Sequence, residues 1–165
     1  MIIGGSFEFV ARERSSMKLL VAVDGSEEAE VALAYATDVA AAMDGQLTVV
    51  HAVDPSVYDE GGTQPISSIT DAEHRLLVES LEDAEERGFD VLEDARRFAD
   101  ELGCEVETEL LYGDPVEEVT AYADREEFDT IFVGHRGRSE QAERVLGSVA
   151  KDVVERATVP VTVVR

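Results

Sequence analysis

Gly134, Gly137, Gly147 and Ser148 have the types and the spacing to hold an anion. An apolar run, FDTIFV (Phe128 to Val133), stops at Gly134. Two residues separate that glycine from Gly137, and nine more precede the Gly147-Ser148 pair, which opens an amphipathic run, VAKDVVERA. A buried strand that empties into a glycine loop and then a helix start suits a phosphate. Glycines admit close approach of backbone N–H groups, and the first N–H groups of a helix are unpaired at its positive dipole end. An ordinary strand-to-helix loop with glycine used only for turns is the alternative. Charge favours the anion: between Gly134 and Lys151, four bases (Arg136, Arg138, Arg144, Lys151) face two acids (Glu140, Glu143) in a chain of net charge −23.

Other residues with chemical potential have plainer readings. Asp24 follows the apolar run KLLVAV, at the carboxyl end of a predicted strand, where ligands bind in open α/β sheets; Asp-Gly is also an ordinary turn pair. His51 has no spaced metal-ligand partner and reads as a packed or edge histidine. Cys104 is the one cysteine, which excludes an internal disulfide and suits a reducing setting; nearby Glu101 and Glu105 disfavour its thiolate. Ser148 lacks a histidine or lysine spaced to activate it as a nucleophile, and no GxxxxGK motif occurs. The pattern is one for holding a ligand rather than turning it over.

The elements that must position these residues alternate between strand and helix. Lys18 to Val23 and Gln46 to Val53 read as buried strands around a helix that Ser26 caps, with Val31, Ala32, Tyr35, Ala36, Val39, Ala40 and Met43 inward and Gly45 at its end. Pro55 to Ile69 reads as a loop. Asp71 to Leu102 reads as a long acidic helix with a bend at Gly88 and a stop at Gly103. Glu105 to Tyr112 alternates as an edge strand would. Asp114 and Pro115 start another helix, and Pro160 to Val164 forms a last apolar strand.

Gly134, two residues, Gly137, nine residues, then Gly147-Ser148 resembles the ATP-binding signature of the universal stress protein family. The preceding strand, the following helix and the closing VPVTVV resemble it too, and the likeness extends over Met17 to Arg165. The resemblance implies an open, doubly wound five-stranded parallel sheet of the Rossmann-like α/β class, with strand order 3-2-1-4-5 and helices on both faces. It implies base or ribose contacts from Asp24, Ala52 and Val53, and phosphate contacts from Val133, Gly134, Gly137, Arg138, Gly147, Ser148 and Val149, with help from Arg136 or Arg138. The implied ligand is ATP, with AMP or ADP as variants and Mg²⁺ as an accompanying ion. His135-Arg136 stands where small or singly basic residues are commoner in the family, which bears on how many phosphates fit. A homodimer through Pro160–Val164 would cover the open edge of the last strand.

Composition bounds the rest. At 165 residues the chain suits one domain, residues 17–165, with residues 1–16 as a flexible extension. No run approaches the roughly 18 apolar residues of a membrane span, and the first residues do not read as a signal peptide. The lone Cys104 makes a reducing, cytoplasmic setting the expectation. With 37 acids against 14 bases the surface repels nucleic acid and anionic membrane. Only Lys18 and Lys151 are lysines, a balance suited to a salty cytoplasm, where the Debye length falls to about 3 Å. Two other functions stay open at this point: a weak ATP-hydrolysing enzyme, and a nucleotide-free dimeric interaction protein. A response-regulator receiver is disfavoured, because the last strand has no lysine.

Overall fold

Strand β1 (Lys18–Ala22) is apolar on both faces because both faces are covered. Leu19 and Val21 join Leu33, Val49 and Leu92 on one side, while Leu20 joins Val50, Ile131 and Val153 on the other. The computed structural model describes residues 16–56, 81–137 and 146–165. Within them, α1 (Glu27–Met43) leads to β2 (Gln46–Val53), and α2 (Leu81–Glu101) to β3 (Val106–Tyr112). Helix α3 (Pro115–Arg125), β4 (Thr130–Gly134), α4 (Ser148–Arg156) and β5 (Val161–Val164) complete the order.

All strand pairs are parallel, in the order β3-β2-β1-β4-β5 that the resemblance implied. Helices α1 and α2 cover one face, and α3 and α4 the other. Leu19, Leu20, Leu33 and Ile131 are essentially without exposure, and burial of each contributes roughly 1.5–3 kcal/mol. Among the described residues no helix is long and apolar enough to cross a membrane.

The register sets up the site. Ala22 pairs with Val50 on one side and with Val133 on the other. The chain just past β1 therefore emerges between the ends of β2 and β4. Strand order reverses at this point, and such a reversal leaves a crevice at the carboxyl ends of the strands.

Three local expectations are corrected. The buried stripe of α1 is Ala29, Ala32, Leu33, Ala36, Thr37 and Ala40, whereas Val31, Tyr35 and Met43 are about half exposed. Small residues face the sheet because α1 packs closely on it, and Tyr35 instead lays its ring edge-on to Phe132, 6.0 Å between centroids. The left-handed residue ending α1 is Asp44 (φ 50°), not Gly45. A Cβ on Gly45 would lie 2.6 Å from Leu19, so that glycine answers to packing. Helix α2 runs through Gly88 without interruption. A Cβ there would meet Leu110 at 2.8 Å and His51 at 3.2 Å, so Gly88 lets the helix settle onto β2 and β3. Residues 71–80 of the long predicted helix lie outside the described residues, as does most of the predicted loop, 57–69, and the extension up to residue 15.

Capping proceeds as expected. Ser26 accepts from the Ala29 N–H at 3.2 Å, and Asp114 accepts from Val116 and Glu117 at 3.0 Å each, with Pro115 opening α3. β3 is an edge strand whose Glu107, Thr108 and Glu109 are exposed.

Candidate functional site

Asp24, Gly25 and Ser26 turn the chain from β1 into α1. Gly25 takes a left-handed φ of 77°, and Asp24 Oδ1 accepts from the Ser26 N–H at 3.0 Å and from the Ser26 hydroxyl. The Asp24 carboxylate is thereby held at the mouth of the crevice. Across from it, β4 ends at Gly134, whose position is set by backbone: a Cβ there would stand 2.8 Å from the Glu28 carbonyl carbon and oxygen. Gly137 approaches Asp24 itself, and a Cβ on it would lie 2.7 Å from Asp24 Oδ2.

Two hydrogen bonds anchor the loop. The His135 N–H donates to the Val164 carbonyl at 2.9 Å, and the Gly147 N–H donates to the His135 carbonyl at 2.7 Å. The second bond returns the chain to the end of β4 before α4 begins. Gly147 is the N-cap of α4 and offers no side-chain cap. The start of the helix, with its positive dipole end, therefore opens into the crevice.

The crevice holds about 320 Å³, at the lower end of small-molecule clefts, which run from roughly 300 to 1,000 Å³. Of the residues that sequence singled out, it brings together Asp24, Ala52, Val133, Gly134, Gly137, Gly147, Ser148 and Val149. Val53 is not among the lining residues. β2 alternates, so Ala52 faces the α3–α4 side while the Val53 side chain is buried on the α1–α2 side, and the Val53 carbonyl accepts from the Gly113 N–H at 2.9 Å. Arg138 lies outside the described residues.

Arg136 lines the cleft as well. Its Nη2 lies 3.7 Å from Glu28 Oε1, and its Nε donates to His135 Nε2 at 2.9 Å. That bond makes Nε2 the acceptor and places the ring proton on Nδ1, a buried atom with no hydrogen-bond partner among the described residues. The bulk expected between the first two glycines is thus turned partly onto itself and onto α1.

Sequence reasoning missed the contributions of His51, Arg87 and Pro115 to the cleft wall. Gly88 was the available signal for Arg87, since a glycine inside a helix marks close approach to the sheet and carries its neighbour there. His51 is half-buried, and its Nδ1 lies 2.7 Å from the Val23 carbonyl.

A sequence model of the Universal stress protein family matches residues 16–165. The chain belongs to the universal stress protein family. It is 32% identical over 148 residues to universal stress protein YxiE of Bacillus subtilis, covering 90% of this chain and 98% of the relative. Among solved structures, the universal stress protein UspA of Lactobacillus plantarum superposes with a TM-score of 0.69 at 25% identity, covering 92% of this chain and all of that one (100%). The universal stress protein of Archaeoglobus fulgidus, solved in complex with dAMP, does so with a TM-score of 0.64 at 27% identity, covering 90% of this chain and 98% of that one. Nearly the whole of each universal stress protein is matched, so the likeness is to the complete domain.

Proposed function

We propose that this chain is an adenine-nucleotide-binding module of the stress response. One observation carries the reading: residues from four separate stretches, Asp24, Ala52, Gly137 and Gly147-Ser148, line a single cleft at the reversal point of the sheet. Asp24 and the Ala52 backbone serve the base and ribose. Gly134, Gly137, Gly147, Ser148 and Val149 serve the phosphates, with Val133 behind them and Arg136 or Arg138 adding charge. A helix start without a side-chain cap fits a phosphate chain. The dAMP complex of the Archaeoglobus relative supports the adenine.

ATP is the ligand we assign within that class, with Mg²⁺ carried on its phosphates. Turnover is not part of the reading, because Ser148 at a helix start is better placed to donate a hydrogen bond than to attack. Residues 17–165 form the binding unit and residues 1–16 an extension. The protein acts in a salty cytoplasm as a homodimer through Pro160–Val164, which would cover the edge strand β5.

The test is direct. Protein purified in molar KCl is denatured, and released nucleotides are identified by chromatography and mass spectrometry. ATP, ADP or AMP near one per chain is the expected result. An empty protein that also gives no heat with millimolar ATP or AMP would overturn the nucleotide reading and leave a nucleotide-free interaction protein.

A further inference from the structure

We infer that His51 is a positioning residue for Asp24. It works by holding the peptide that joins Val23 to Asp24, and its effect on ligand rests on the nucleotide reading above. The ladder between β1 and β2 continues one residue past β1, where the Val23 N–H donates to the Val50 carbonyl at 2.9 Å. At the next step the chain turns toward α1, and the Val23 carbonyl meets the His51 ring, with Nδ1 at 2.7 Å. A carbonyl can only accept, so Nδ1 carries the proton and donates. A side chain of β2 thus fixes the carbonyl of the peptide whose N–H belongs to Asp24.

Both sides of this contact are built. Gly88 lets α2 close on the ring, since a Cβ there would come within 3.2 Å of His51 Cδ2, so the imidazole is confined as well as bonded. On the far side, Asp24 is tied forward to Ser26 through Oδ1 and lies against Gly137 through Oδ2. Asp24 is therefore held from behind by His51 and from ahead by the start of α1. Releasing the rear hold leaves the Val23–Asp24 peptide able to rotate, and the carboxylate then loses its fixed station in the cleft. Asn is the conservative replacement, because its amide nitrogen stands where Nδ1 does and still donates; Leu fills similar space without a donor.

The test uses the full chain and two readouts. In the ligand-free protein, long-range proton–nitrogen correlation should show His51 as the Nδ1–H tautomer. His51→Leu should shift the amide resonances of Asp24, Ser26 and Gly137, and His51→Asn should restore them. With AMP as probe, His51→Leu should weaken binding about tenfold, the scale of one lost hydrogen bond and its consequences. Asp24→Asn, made in the His51→Leu background, should then cost much less than it costs in the wild type, while His51→Asn stays near wild type. Unmoved Asp24 and Gly137 resonances in a folded His51→Leu protein overturn the inference, as do strictly additive losses in the double variant. Wild type that binds no nucleotide sinks the proposed function alone, because the ligand-free spectra still decide what His51 does. Should His51→Leu fail to fold, the ring tautomer and the His51→Gln spectrum take its place, and an Nε2–H tautomer overturns the inference.

Discussion

Gly137 and Asp24 meet so closely that a methyl group on the glycine would stand 2.7 Å from the carboxylate oxygen Oδ2. No φ constraint accompanies this, so the glycine answers to its neighbour and not to its own backbone. Gly137→Ala should displace Asp24 or the loop and weaken adenine nucleotide binding at least about tenfold, or about 1.4 kcal/mol. Global stability should change by less than that, because both partners lie at the cleft rather than in the core. Calorimetric titration with AMP beside denaturant melts checks the two halves.

Gly134, in the same motif, should behave in the opposite way. Its missing Cβ makes room for the Glu28 carbonyl and the Ala29 nitrogen, which belong to the first turn of α1 and cannot swing aside. Gly134→Ala should destabilise the fold by about 1–3 kcal/mol, as overpacking does, and should lower the unfolding midpoint whether or not nucleotide is present. A folded, fully stable Gly134→Ala protein that merely lost its ligand would contradict this division of labour.

That division marks the limit of what was legible in the chain. Strand β1, the Ser26 and Asp114 caps and the spacing from Gly134 to Ser148 all report local rules: apolar runs, short polar caps, glycine punctuation. Those rules operate within a few residues. The role of each glycine is set by residues distant in sequence, Glu28 for Gly134 and Asp24 for Gly137, and no local pattern distinguishes them. The same holds for the face of α1. Val31 and Tyr35 are as apolar as a core demands, yet the close seat of α1 on the sheet selects alanines, and one helical step turns the larger residues outward. Val53 and Ala52 are neighbours in one strand, and the pleat turns them to opposite faces of the sheet.

Cys104 should be a slow thiol. Burial raises its pKa above the ordinary value, and the Asp100 carboxylate raises it further. A raised pKa means a smaller thiolate fraction at pH 8, so alkylation by iodoacetamide should lag behind that of the same cysteine in denaturant. The lag should shrink as pH climbs through the folded-state pKa. Equal rates in native and unfolded protein at pH 8 would show the thiol to be unprotected.

Salt should raise stability. With a net charge of −23, self-repulsion opposes the compact state. Going from 0.1 M to about 1 M KCl shortens the Debye length from about 10 Å to about 3 Å. The thermal midpoint should climb across that range and then level off. A midpoint indifferent to KCl would mean that the excess acids are spread too widely for their repulsion to weigh on the compact state.

The cleft draws its walls from segments that the chain reaches at residues 24, 52, 137 and 148, two of them at opposite ends of the domain. Anything seated there acts as a rivet through the whole sheet, because no segment can peel away without releasing it. Occupancy and endurance then become one quantity: a ligand at a hundred times its dissociation constant adds about 2.7 kcal/mol to the folded state. A fall in that ligand's concentration would then read out as a lower unfolding midpoint.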